Sequence, residues 1–451
     1  MTKDIDFLHG NIYRLIVKVS LPLILASIVT SIVQLANVAF MGNLGTEEIY
    51  VRSLYTPFAF LSIALVEAFQ ISNQVSIARL NGEGDKEGIK NNIFTFVLLS
   101  SVISIAVWMI IHFLSPYIAT YYNVPNDVAT KFIDFLNLIF LVNILGIIAM
   151  VLTSSLRGIG KLGLSMILSI GYASLNIILV YMYSFHWHKG IFSLVYANAI
   201  SSFILCLVSM IVLKKLDLLK IKKQYFKLYH KGIFFLKVVG IPIFISYIII
   251  FISNFFYNKI IEPFGHSTLS GFSVGYYIQT FAIIPAIAIG SALGIIINNH
   301  IGAGEVHRPR VYEVMKKGTL FTFIFYIMMS VLIFIFKGNI VRLMLIEDAA
   351  IQQAVLFLKI VAPTYLFFGV VLMTLTALEQ MNKGYLALIL NVIYFAAIIG
   401  IGWYLTVRYA QVECLYWTIS MMNIVGSIMV FFILRMIQKE FNDAQVSNGS
   451  V

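Results

Sequence analysis

Apolar runs of about 20 residues or more recur along the whole chain, each long enough to cross roughly 30 Å of hydrocarbon. Twelve are read, at 15–41, 53–80, 92–119, 129–155, 164–184, 191–213, 232–260, 268–299, 318–337, 349–376, 384–408 and 412–436. A backbone in lipid must satisfy its own hydrogen bonds, which leaves α-helices and closed barrels. A barrel strand needs only about 10 residues and alternates apolar with polar, so these runs are helices. Composition agrees: 60% of residues are hydrophobic, 11% are charged and the mean hydropathy is +0.93, whereas soluble domains carry about 25% charged residues. The sequence predicts an all-α integral membrane protein with twelve transmembrane helices.

The two halves match each other at a nearly constant offset. Pro22 pairs with Pro242, Gly45 with Gly265, and Asn81-Gly82-Glu83-Gly84-Asp85 with Ile301-Gly302-Ala303-Gly304-Glu305, all 220 apart. Leu156-Arg157-Gly158-Ile159-Gly160-Lys161 pairs with Leu378-Glu379-Gln380-Met381-Asn382-Lys383 at 222. The expected organisation is therefore two pseudo-symmetric six-helix bundles around a central cleft, at 1–213 and 232–438. A basic linker, 214–231, joins them, and a polar tail follows from 439. Membrane proteins built from two like halves place substrate between them and alternate one against the other, so the repeat points to a transporter.

Twelve spans put both termini on one side. Of the 31 Lys and Arg, 23 fall in or beside the loops of that side. The positive-inside rule makes it cytoplasmic, in a multi-pass protein of the cell membrane. The net charge of +11 is thus a topology signal, spread over short loops, and gives no reason to expect nucleic acid. The cluster Lys214, Lys215, Lys220, Lys222, Lys223, Lys227 and Lys231 reads as a cytoplasmic linker touching anionic membrane lipid. The first run is too long for a signal-peptide core and is expected to stay as a helix.

Several chemistries find no support. Gly160-Lys161 is the nearest approach to an ATP-binding loop, but Ser155 stands where its first glycine is needed and Leu162 follows the lysine. No ATPase subunit is implied. Cys206 and Cys414 fall in or beside helices and make no disulfide or metal framework. His186 and His188 flank Trp187 in an outer loop without a third ligand, so no metal site is expected. No nucleophile, acid and base can be assembled, and no enzyme activity or organic cofactor is expected. The two Gly-x-Gly motifs at 82–84 and 302–304 stand where apolar helices end, as helix C-caps do.

Four segments carry a family likeness: Pro22 through Gly42-Asn43-Leu44-Gly45; Ala78-Arg79-Leu80-Asn81-Gly82-Glu83-Gly84-Asp85; Leu156-Arg157-Gly158-x-Gly160; and Ile297-x-x-His300-Ile301-Gly302-Ala303-Gly304. In this order and spacing the chain resembles the multidrug and toxic compound extrusion (MATE) family, within the wider group of multidrug, oligosaccharidyl-lipid and polysaccharide exporters. The resemblance implies export of small organic compounds in exchange for protons or sodium ions. It also exposes departures. The family's usual first-helix Asp, five residues before Gly42, is Asn37 here. Its fifth-helix Asn-x-x-x-Asp is kept only as Asn176, with Val180 at the Asp position. The seventh-helix Glu of many members falls in Tyr247-Ile248-Ile249-Ile250, which has no acid.

Candidate coupling residues must therefore come from the cost of burying charge. An ionisable group deep in a bilayer costs at least about 2.5–3.5 kcal/mol and marks ion pathways. Glu67 lies about 14 residues into the second span, roughly 21 Å at 1.5 Å per residue, near the midplane. Burial favours the protonated form of a carboxyl, which suits a carrier that binds a proton and releases it on exposure. Gln70 and Gln74 share its helix face. The first helix bears Ser27, Thr30, Ser31, Gln34 and Asn37 on one face, and Asn176 lies at a depth between Glu67 and Asn37. Ion coupling is thus expected at Glu67, Asn37 and Asn176. In the second half Glu67 maps onto Ile287, Gln34 onto Asn254 and Asn37 onto Tyr257. The substrate cleft is expected to use Thr30, Gln34, Gln70, Gln74, Tyr247, Asn254, Tyr257, Tyr276 and Gln279, with Pro285 breaking the eighth helix. Asp134 and Lys359, in the outer halves of equivalent spans, are candidates for an outer gate.

The leading reading is a monomeric secondary antiporter exporting amphipathic organic compounds, coupled to protons or sodium. A flippase for a lipid-linked or lipid-like substrate is the alternative, and a transport-inactive scaffold a third.

Overall fold

The computed structural model describes residues 5–219 and 228–442, outside which lie Lys220, Lys222, Lys223, Lys227 and the tail from 443. Long helices make up nearly all of it. In chain order they are α1 (Ile12–Leu44), α2 (Thr46–Glu83), α3 (Lys86–Tyr121), α4 (Asn126–Gly158), α5 (Leu162–Tyr181) and α6 (Phe192–Lys215). Then come α7 (His230–Phe235, a π-helical turn Leu236–Gly240, and Ile241–Ile261) and α8 (His266–Gly302). The last are α9 (Pro309–Arg342), α10 (Asp348–Val361, a 3-10 turn Ala362–Thr364, and Tyr365–Leu378), α11 (Gly384–Tyr409) and α12 (Glu413–Asn442). Among the described residues eleven stretches are long and apolar enough to cross a bilayer. One of these, Asp348–Tyr409, runs for 62 residues, about 93 Å at 1.5 Å per residue, three bilayer cores in length. Non-helical backbone at Met381 and Asn382 (φ +62°) divides it into α10 and α11. That division is consistent with the twelve spans read from the sequence.

The repeat appears in backbone conformation as well as in residues. Gly45 (φ +144°) and Gly265 (φ +94°) both precede a long helix, and Gly84 (φ +72°) and Gly304 (φ +98°) both follow one. These values lie where a side chain is strained and glycine is not. Gly84 caps α2 in the left-handed conformation, its N–H reaching the carbonyls of Leu80 and Asn81, as expected of that Gly-x-Gly motif.

The chain divides into two compact units. Leu25–Phe244 forms the first, while Phe7–Ile24 joins the chain from Ile245 in the second. Residues 5–6 also fall in the first unit; the later changes of unit, after Ile24 and after Phe244, are 220 residues apart, and each follows a repeat-related proline, Pro22 or Pro242, by two residues. Each half thus contributes the start of its first helix to the other unit. In the first unit the start of α7 is held through Lys231 and Glu83 (2.8 Å) and by the Tyr229 N–H on Thr95 (3.0 Å). In the second, Arg310 donates to the carbonyls of Leu8 and Gly10, and Lys317 lies 5.3 Å from the Tyr13 ring centre.

Inside the first unit, α2, α3 and α4 meet around Asn73. Its Nδ2 lies 2.9 Å from the Val151 carbonyl and from the hydroxyls of Ser154 and Ser155. Its Oδ1 accepts from Asn92 Nδ2 at 3.0 Å, and Asn92 Oδ1 accepts from Ser76 at 2.7 Å. A fully buried amide in an apolar bundle must be satisfied in this way. Gly158 lets α4 approach: a Cβ there would meet Ile77 at 2.7 Å and the Gln74 carbonyl at 2.8 Å.

In the second unit Pro285 lies inside α8, which runs through it from His266 to Gly302 without the expected break. Its effect on the helix ladder is repaired by Tyr326 of α9. The tyrosine hydroxyl accepts from the Ala286 N–H (2.9 Å) and donates to the Ala282 carbonyl (2.7 Å). Tyr326 is 1% exposed, so water cannot replace it. Tyr326→Phe is expected to lower stability by about 1–3 kcal/mol, the cost of leaving buried backbone groups unmade. The check is unfolding of the purified protein in detergent; a change below about 0.5 kcal/mol would show that the hydroxyl is dispensable.

Candidate functional site

The structure brings Asn37 and Asn176 together. Asn37 Nδ2 donates to Asn176 Oδ1 (3.4 Å), and Asn176 Nδ2 donates to Asn198 Oδ1 of α6 (2.9 Å), near the Tyr172 hydroxyl (3.5 Å). Helices α1, α5 and α6 are joined by this amide chain. The buried Asn37 Oδ1 has no partner among the described residues, leaving one acceptor for a ligand. Sequence reasoning missed Asn198; its signal was an amide inside an apolar run of spanning length. None of the three amides titrates near neutral pH, so this chain can orient or coordinate but cannot carry a proton.

Glu67 has a different setting. It is partly buried on α2, and the guanidinium of Arg157, at the end of α4, acts on it electrostatically. The sequence offered no neighbouring cation, because 90 residues separate the two; the fold supplies its charge. Arg157 had stood out only as part of a motif. Its Nε also donates to Ser165 of α5 (3.0 Å), which orients the guanidinium. On the same helix as Glu67, Gln70 and Gln74 are buried, at 8% and 1% exposure.

The remaining candidates are distributed over both units. Gln34 is exposed and lines a cavity of about 210 Å³ with Arg52, Ser53, Thr56 and Phe60. Thr30 is exposed and returns its hydroxyl to the Ala26 carbonyl at 2.9 Å. In the second unit Tyr257, Phe272 and Tyr276 form an aromatic cluster with ring centres 5.6–6.3 Å apart. Tyr257 is buried there and Tyr276 partly so. Gln279 is buried with its Oε1 unpartnered among the described residues. Tyr247 is partly buried, and Asn254 turns back to the Ile250 carbonyl at 3.0 Å. Asp134 is exposed on the first unit and Lys359 on the second.

The MatE family profile matches residues 22–182 and 242–405, two segments whose starts are again 220 apart. The chain belongs to the MatE family. It is similar to the probable multidrug resistance protein YoeA of Bacillus subtilis, at 24% identity over 360 residues and 77% of either chain. It is also similar to the multidrug export protein MepA of Staphylococcus haemolyticus, at 21% over 434 residues, 95% of this chain and 94% of that one. A solved transporter of the MOP superfamily from Pyrococcus furiosus superposes with a TM-score of 0.89 at 20% identity, covering 97% and 99% of the two chains. The fold is therefore that of the MATE transporters, and this MatE member is a membrane-embedded efflux protein. Within that frame Asn176 and Arg157 stand in motifs of the family resemblance, whereas Glu67 and Asn198 do not.

Removing either charge of the Glu67–Arg157 pair leaves the other, partly buried, without its counter-charge. Glu67→Leu and Arg157→Leu are each expected to destabilise the protein, and the double variant by less than the sum. The coupling energy from a double-mutant unfolding cycle should be about 0.5–3 kcal/mol; strict additivity would show that the two charges do not interact.

Proposed function

We propose that this chain is a secondary antiporter that exports amphipathic organic compounds in exchange for protons by alternating access. We place it in the cell membrane as a monomer with both termini cytoplasmic. The observation that carries this reading is the Glu67 carboxyl within α2, under the influence of a single guanidinium, Arg157. Ionised, Glu67 gives Arg157 a counter-charge; protonated, it releases that attraction and leaves Arg157 to Ser165. One proton thereby changes the electrostatic attraction between α2 and α4. The names of YoeA and MepA, as a probable multidrug resistance protein and a multidrug export protein, support an organic substrate. The neutral Asn37–Asn176–Asn198 chain fits an orienting role beside that carrier.

The test is accumulation of ethidium in proteoliposomes under an imposed pH gradient. Each proton exchanged contributes about 1.36 kcal/mol per pH unit, close to a tenfold concentration ratio. Wild type should accumulate the dye, and Glu67→Gln should lose gradient-driven accumulation while still equilibrating the dye. Equal accumulation by both would remove Glu67 from coupling. Accumulation driven only by sodium would move the coupling assignment to the amide chain. If no gradient moved ethidium, the flippase reading would be tested next with lipid-linked substrates.

A further inference from the structure

In the second unit, the residue 222 positions after Arg157 is Glu379. It opens the π-helical turn Glu379–Lys383 between α10 and α11 and is only 8% exposed. Its Oε1 accepts a hydrogen bond from the Ser246 hydroxyl of α7 at 3.1 Å, and Ser246 Oγ accepts from Asn391 Nδ2 of α11 at 3.3 Å. Ser246 and Asn391 are also buried, at 5% and 9% exposure. The result is a directed chain, amide to hydroxyl to carboxylate, which ends on one carboxyl oxygen.

No ion pair to Glu379 occurs among the described residues. Lys383, on the same turn, is taken by Glu440 of α12 at 2.7 Å. His300 of α8 stacks on His307, and the Tyr394 hydroxyl of α11 is held by Asn423 at 2.6 Å. Tyr247 of α7 and Tyr385 of α11, the other titratable side chains near the site on those helices, are only partly buried or exposed. A buried carboxylate with one hydroxyl donor and no cation is costly in this setting, and taking up a proton on Oε2 removes that charge. A sodium ion would find few oxygens, because the amide nitrogen of Asn391 already occupies Ser246.

We propose that Glu379 is a second proton-binding site of this protein, located in the half that lacks an equivalent of Glu67. Its carboxylate takes one proton on Oε2 and returns it without any covalent change elsewhere. The site acts on α7, because Ser246 is the second residue after the chain passes from one unit to the other at Phe244 and Ile245. The contribution to transport rests on the proton-coupled reading above; proton binding itself does not.

Two measurements on the full-length protein separate these. Infrared difference spectra of purified protein, from alkaline to acid pH, read the carbonyl stretch of each carboxyl that becomes protonated. Glu379→Gln should remove one titrating band that persists in Glu67→Gln. Ser246→Ala, which keeps the carboxyl but loses its donor, should displace the midpoint of that same band. Spectra of Glu379→Gln identical to wild type, or a Glu379 band unchanged at every pH, would overturn the proposal. Should Glu379→Gln fail to fold, Ser246→Ala decides: a displaced midpoint supports the site, and an unmoved one overturns it. In proteoliposomes, loss of one of two exchanged protons should reduce ethidium accumulation about tenfold per pH unit. Full accumulation would refute a role in coupling. If ethidium is not moved at all, the antiport reading fails while the infrared result still judges Glu379.

Discussion

A polar group inside an apolar bundle has no water to fall back on, so each one present must be met by a neighbouring helix. Much of this structure follows from that constraint. Asn73 is the centre of one answer, drawing together α2, α3 and α4 through the Val151 carbonyl, Ser154, Ser155 and Asn92. Tyr326 is another, closing the gap that Pro285 opens in α8. The charged residues obey the same rule less completely: Glu67 has Arg157, whereas Glu379 has a hydroxyl. Incomplete satisfaction is what makes a buried acid useful for binding and releasing a proton.

The two halves keep a common plan while exchanging chemistry within it. Gln74 packs toward Gly158 in the first half; the equivalent positions in the second are Gly294 and Gln380, with glycine and glutamine on opposite helices. The close approach survives because one partner lacks a side chain in each case. One residue earlier, Arg157 becomes Glu379, and on the facing helix Glu67 becomes Ile287. An arginine and a glutamate in one half are thus replaced by a single glutamate in the other. Duplicated geometry thus carries unequal charge in the two units.

The fold was largely legible in the sequence because its causes are local. Runs of about 20 apolar residues dictate spanning helices, and glycine at 45, 84, 265 and 304 marks backbone that only glycine adopts easily. The 62-residue stretch Asp348–Tyr409 was divisible because polar residues at 379–383 interrupt it. The site was less legible. Asn37 and Asn176 could each be singled out, yet the third amide, Asn198, could not be joined to them without knowing that α6 lies beside α5. Glu379 escaped notice because it sits in a loop by hydropathy and becomes buried only when α7 and α11 close over it.

By itself the sequence determined a helical membrane protein of two like halves, and pointed to Glu67 as the acid of the first, since hydropathy and repeats are properties of the chain alone. Tertiary structure decided the partners. It brought the Arg157 charge to act on Glu67 across 90 residues of sequence, and exchanged the starts of α1 and α7 between units at positions 220 apart. It also buried a second acid beneath Ser246. Such pairings depend on which helix faces share a depth and a neighbour, and helix packing sets that through contacts distant in sequence.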